Sequence, residues 1–234
     1  MKQYLISDEI LKENYSQDLK GLVLLSQDVV ENLFSFICSA NNNIKRISLM
    51  VEFLANSYGK HIGTYCGKEF HSFPTLLDLK LPNLTEQLEI NNFGYRGKRI
   101  AEAVEFLLSK GGEAYLKKLK SKSYNDTHKE LCEIPGIGAK VADCISLMSM
   151  NHFMAVPIDT HMYQVAKAQY KLEPQAKTLT PKNYRKIRSF YQNLWGKYAG
   201  IVQLVVLILF AKILSLCLRK LSSLSMVDFF QFFE

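Results

Sequence analysis

A lysine and an aspartate, both placed behind a pair of glycines, are the residues of this sequence best able to do covalent chemistry. The stretch Leu131-Cys132-Glu133-Ile134-Pro135-Gly136-Ile137-Gly138-Ala139-Lys140-Val141-Ala142-Asp143-Cys144 reads as a helix, a tight glycine hairpin and a second helix that opens with Lys140. Val156-Pro157-Ile158-Asp159-Thr160-His161 then sets Asp159 at the start of a third helix. The amides of a glycine hairpin and of a helix N-terminus point outward and suit a phosphate. A lysine in that positive field reaches the neutral, nucleophilic amine more easily. A phosphate seat, an amine nucleophile and a carboxylate together imply covalent chemistry on DNA. Glycine hairpins also occur in proteins that only hold DNA by its backbone, where a lysine neutralises phosphate charge. The downstream aspartate is what points beyond simple holding.

Composition narrows the partners. The 234 residues can form one large or two small domains, and 48% hydrophobic with 22% charged residues describes a globular chain. A formal charge of +7 suits a polyanion without specifying a sequence. Cysteines 38, 66, 132, 144 and 217 are scattered and contain no CxxC pair, so neither a zinc site nor a disulfide framework is expected. The N-terminus carries acidic residues and no long apolar core, unlike a secretory signal, and an intracellular, reducing compartment follows as the expectation.

The elements that must position these residues read as all-α. Apolar spacing predicts helices near Asp28–Ala40 and Ile44–Tyr58, the second closed by Gly59. Residues 60–74, with Gly63, Gly67 and Pro74, read as a loop. Helices follow at about 75–79, 84–91 and 96–110, then the hairpin over 126–150, a helix from Asp159 or Thr160, and another over 181–194. From Gly200 the chain is almost wholly apolar, interrupted by Gln203 and Lys212. Those two polar residues favour a buried core helix over a membrane-associated tail.

Several separate segments resemble the helix-hairpin-helix DNA glycosylases, and among them the eukaryotic-type 8-oxoguanine DNA glycosylases. They are Phe34-Ser35-Phe36-Ile37-Cys38-Ser39-Ala40-Asn41-Asn42-Asn43-Ile44-Lys45-Arg46-Ile47, Phe93-Gly94-Tyr95-Arg96, Lys140 through Cys144, Val156 through Met162, and Trp195 through Gln203. They fall in family order between residues 15 and 206. The resemblance implies two helical subdomains flanking a DNA-binding cleft. It divides the chain into a remnant of a preceding domain (1–25), the glycosylase domain (26–206) and a divergent apolar segment (207–234).

The resemblance also implies roles. Lys140 would attack the sugar C1′ as the damaged base leaves, form a Schiff base with the opened sugar and allow β-elimination. Asp159 would stabilise the developing positive charge while capping its helix, the two roles being compatible because a capping carboxylate is fixed in place. Cys144, Met148, Gln203 and Leu207 would line the base pocket, with Gln203 reading the Watson–Crick edge of the flipped base. As a lone cysteine, Cys144 also fits a small buried hydrophobe. Gly136, Gly138 and His161 would hold phosphates, although from the sequence alone His161 fits a polar residue of the capping region equally well. A flipped base leaves a gap: Asn41 would fill it, Tyr95 would wedge the stack, and Arg46 and Arg96 would read the orphaned cytosine. Without the resemblance, Asn41 to Asn43 would be an Asn-rich turn and the arginines solvated charges.

The partner implied is double-stranded DNA carrying 8-oxoguanine opposite cytosine, or an abasic site, bound by a monomer in the nucleus or mitochondrion. No cofactor is expected: Cys217 alone cannot hold an iron–sulfur cluster, although a hairpin-bound monovalent or divalent cation is compatible with the motif. Two departures stand out. The resemblance starts near the end of the family's β-rich N-terminal domain, whose backbone reads the lesion's N7, and no residue of this sequence can be assigned that role. Leu207 stands where the family places an aromatic, and base stacking on an aromatic is worth about 1–3 kcal/mol. Two functions therefore fit: an 8-oxoguanine glycosylase and abasic-site lyase, or a form that binds DNA or cleaves abasic sites with little base excision.

Overall fold

Side-chain caps written into the sequence start five of the described helices. The computed structural model describes residues 24–172 and 179–218, with side chains as far as Ile208. The expected positions in 1–23 and 219–234 lie outside the described residues. The chain falls into two compact units, one spanning Ser26–Ile145 and the other running from Ser146 onward.

In the first unit, α1 (Val29–Ser39) starts where the Asp28 carboxylate accepts from the amides of Val30 and Glu31, at 2.9 and 3.1 Å. α2 (Ile44–Tyr58) starts where the Asn43 side chain accepts from the Arg46 amide at 3.1 Å. α3 (Leu84–Ile90), α4 (Tyr95–Ser109), α5 (Glu113–Lys120) and α6 (Tyr124–Leu131) follow, and α7 (Ala139–Met148) begins here. Leu33, Phe34, Leu54, Leu88, Phe93 and Ile100 form the core. Its apolar faces recur at three- and four-residue spacing, as amphipathic helices require.

Two expectations need correction. Residues 60–74 are not a loop: β1 (His61–Tyr65) and β2 (Lys68–His71) form an antiparallel hairpin. Cys66 and Gly67 both have positive φ, +50° and +75°, the pattern of a two-residue hairpin turn. A cysteine in the place usually taken by asparagine or aspartate hid that signal. An isolated two-stranded hairpin is marginal in water, and this one is tied to α2. The Ser72 amide donates to Lys60 O at 2.9 Å, and Lys68 pairs with Glu52 at 3.2 Å. Gly59 does end α2, but for a steric reason: a Cβ there would lie 1.8 Å from Ser72 O. The second correction concerns 75–79, a single turn rather than a helix, closed by Asp78 accepting from the Thr75 amide at 2.9 Å.

The second unit contains α8 (Thr160–Ala168), α9 (Pro181–Trp195), a short 3₁₀ turn at Gly196–Tyr198, and α10 (Ala199–Leu218). Trp195 and Tyr191 stack with ring centroids 4.4 Å apart. α10 is buried on every face over its first turns, from Ala199 to Leu207 apart from half-buried Ile201, as an all-round apolar core helix should be. Its entry is tight. The Gly200 amide donates to Phe153 O at 2.8 Å, and a Cβ on Gly200 would sit 2.2 Å from Ala155 O. Among the described residues no helix is long and apolar enough to cross a membrane.

Candidate active site

The hairpin is built as the glycines demand. After α6, the Ile134 amide donates to Leu131 O at 3.1 Å and the Ile137 amide to Ile134 O at 3.0 Å, with both isoleucines buried. Gly136 has φ +87°, and a Cβ there would press to 3.3 Å of Arg99 Cβ and 3.5 Å of Ile37 Cγ1. It is glycine for both backbone and space. Gly138 is exposed and faces open space. The Ala142 amide is the first to bond back, to Gly138 O at 2.9 Å, so the preceding amides of α7 lack helical partners and present an anion seat.

Lys140 is the second residue of α7, partly exposed, and among the described residues its Nζ makes no ion pair or hydrogen bond. Cys144 and Met148 continue the same stripe at four-residue intervals and are buried. In the second unit, Asp159 is 4% exposed and caps α8, its Oδ1 accepting from the Met162 amide at 2.7 Å. His161, in the first turn, is half-buried. Gln203 is fully buried: its Nε2 donates to Pro157 O at 2.6 Å, while among the described residues its Oε1 has no donor. Gln203 thus braces the segment that leads into Asp159. Leu207 lies one turn on and is buried too.

The expected gap-filling group is partly assembled within the first unit. Arg96 is 3% exposed, so it is not a solvated charge. Its Nε and Nη2 donate to Ala40 O at 3.0 and 2.5 Å, and Nη2 also to Asn41 O at 2.6 Å. The Tyr95 hydroxyl donates to the same Ala40 carbonyl at 2.9 Å. Asn41 has φ +49° and is exposed. The exposed Arg46 donates to Asn92 O at 2.6 Å. Arg96 therefore holds the Asn41 loop and the start of α4 together.

Sequence reasoning missed one cluster. The Tyr124 hydroxyl donates to Asp143 Oδ1 in the interior, and His128 Nε2 lies 3.6 Å from Asp143 Oδ2 and 3.2 Å from Ala139 O. The available signal was Asp143, a carboxylate wedged between the buried positions Ala142 and Cys144.

No family model matches the chain. It is 38% identical to the N-glycosylase/DNA lyase OGG1 of Arabidopsis thaliana over 195 residues, covering 82% of this chain and 53% of that protein. It is 35% identical to the N-glycosylase/DNA lyase of Saccharomyces cerevisiae over 208 residues, covering 79% of this chain and 55% of that protein. The chain spans about half the length of these curated relatives. The Clostridium acetobutylicum 8-oxoguanine glycosylase/lyase in its apo-form superposes with a TM-score of 0.74 at 32% identity, covering 86% of this chain and 67% of that one. The same bacterial protein bound to double-stranded DNA with cytosine opposite 8-oxoguanine gives 0.73. The helical architecture is that of a helix-hairpin-helix DNA glycosylase. Within that class, the chain belongs to the 8-oxoguanine DNA glycosylase family.

Proposed function

We propose that this chain acts in base-excision repair as a bifunctional 8-oxoguanine DNA glycosylase and abasic-site lyase, with Lys140 as nucleophile. The observation that carries this reading is the Lys140 amine, unpaired among the described residues, beside the anion seat of the hairpin. Relatives named N-glycosylase/DNA lyase support it.

In the proposed reaction, phosphates bind the hairpin amides, and Nζ bonds to C1′ as the C1′–N9 bond breaks and the base departs with its electron pair. Ring opening yields the Schiff base, loss of a C2′ proton expels the 3′-phosphate, and hydrolysis frees the lysine. Asp159, fixed by its cap, offsets the positive charge that develops on the sugar. The partner is duplex DNA with 8-oxoguanine opposite cytosine, bound by a monomer, and the site of action is the nucleus. No cofactor is needed for this sequence of steps.

Leu207 favours a second reading, abasic-site cleavage with weak base excision. A buried aliphatic side chain offers no π face for a flipped base. Borohydride trapping on duplexes containing either 8-oxoguanine opposite cytosine or a preformed abasic site separates the two, with Lys140→Ala as control. Lysine-dependent trapping on both duplexes supports the bifunctional reading, and trapping only at the abasic site supports the second. Absence of trapping on either, from folded protein, overturns both.

A further inference from the structure

Asp143 stands three residues after Lys140 on α7, a spacing that puts side chains within about 5–6 Å at Cβ. A carboxylate so placed is a natural ion-pair partner for a lysine, yet Lys140 makes no such pair among the described residues. The reason is visible in the hairpin. Asp143 is fully buried, with Oδ1 accepting from the Tyr124 hydroxyl and Oδ2 facing His128, both on α6. His128 Nε2 also reaches Ala139 O at 3.2 Å, which ties the first residue of α7 to the same network.

The charge balance is consistent with this geometry. Burial opposes protonation of His128, but hydrogen bonding and charge from Asp143, helped by Cys132, outweigh it and lift the imidazole to about 9. At neutral pH an imidazolium faces the buried carboxylate. The other charges nearby are engaged elsewhere. Lys122 pairs with Glu130, beside which burial and the glutamate push Tyr115 up to about 12, and Arg99 on α4 pairs with Glu102 at 3.1 Å. Cys132 Sγ lies 3.9 Å from His128 Nδ1.

We propose that His128, with Tyr124, is a positioning residue that keeps the Asp143 carboxylate on the α6 side of the hairpin and charge-compensated, so that the Lys140 amine is left unpaired for attack. This rests on Lys140 being the nucleophile. Without His128, the carboxylate is free to hold the lysine as an ammonium, and removal of the carboxylate charge should undo the damage.

The test is the rate of borohydride trapping at a preformed abasic site across about pH 6–10, with folding followed by thermal unfolding. His128→Ala should trap about tenfold more slowly at pH 7, with the acid limb of the profile moved up by about one pH unit. His128→Ala combined with Asp143→Asn should return the limb to its native position, which a loss of structure alone cannot do. Should His128→Ala not fold, His128→Gln keeps a hydrogen-bond donor without the charge and should show the same displaced limb. A native profile in the histidine variants, or a folded double variant no better than the single one, overturns the proposal. Failure of the nucleophile reading is distinguishable: Lys140→Ala would then trap like the native chain, or the native chain would not trap at all, and the proposal would fall with it.

Discussion

The Gln203 side chain donates to the carbonyl of Pro157 at 2.6 Å, joining α10 to the segment that delivers Asp159 two residues later. One amide thus fixes the approach to the capping carboxylate and leaves its buried oxygen without a donor among the described residues. A buried unsatisfied acceptor costs about 1–3 kcal/mol, so a ligand supplying a donor would be favoured there. Gln203→Leu would unpair the Pro157 carbonyl but also remove the unsatisfied Oε1, so stability in urea unfolding should change by no more than about 1 kcal/mol. Excision of 8-oxoguanine should fall further than abasic-site trapping, since only the former requires a base to be read.

Asp159 separates a structural from a chemical role. Asparagine caps a helix about as well as aspartate, whereas alanine costs about 0.5–2 kcal/mol. Asp159→Asn should keep the unfolding midpoint near native, and Asp159→Ala should lower it. Both should slow lysine-dependent trapping at least tenfold, as expected when electrostatic stabilisation of the reaction is removed. An Asp159→Asn variant that trapped at the native rate would reduce the residue to a cap.

The two hairpin glycines should behave differently. Gly136→Ala puts a side chain at φ +87° and against Arg99 and Ile37, and should cost about 1–2 kcal/mol or more. Gly138 meets nothing, so Gly138→Ala should leave stability within about 0.5 kcal/mol while weakening duplex binding through crowding of the amide seat. Thermal unfolding and a fluorescence-anisotropy titration with duplex DNA read the two effects separately.

His128 makes stability depend on pH. Its folded value of about 9 stands above the ordinary value of 6.5, so the protonated ring binds its proton more tightly when folded. The stabilisation is complete below about pH 6.5 and disappears as pH rises through 9. Urea midpoints measured from pH 6 to pH 10 should decline over that window, and His128→Gln should flatten the decline.

Arg96 should not tolerate lysine. Its guanidinium serves two carbonyls through a planar fork, which a single ammonium cannot match. Arg96→Lys should destabilise the first unit, seen as a lower unfolding midpoint, and loosen the Asn41 loop, seen as faster amide exchange over residues 39–43.

Features that depend on neighbours along the chain are legible in the order of the amino acids. Asp28, Asn43, Ser123, Asp159 and Thr180 each precede a helix and accept from an amide two or three residues on. A cap is a local bond and leaves a local signature. The glycine hairpin and the order of the family segments are legible for the same reason. The β-hairpin is not, because Cys66-Gly67 supplies its turn without the usual residues.

What the tertiary structure alone decided are the partners of polar groups placed far apart along the chain. Asp143 meets Tyr124 across 19 positions, Gln203 meets the Pro157 carbonyl across 46, and Arg96 meets the Ala40 carbonyl across 56. The sequence by itself determined which residue types carry charge and hydrogen-bonding capacity, and in which helical phase. Whether a lysine stands unpaired or a carboxylate is compensated depends on which groups packing brings together once water is excluded, and no local pattern encodes that.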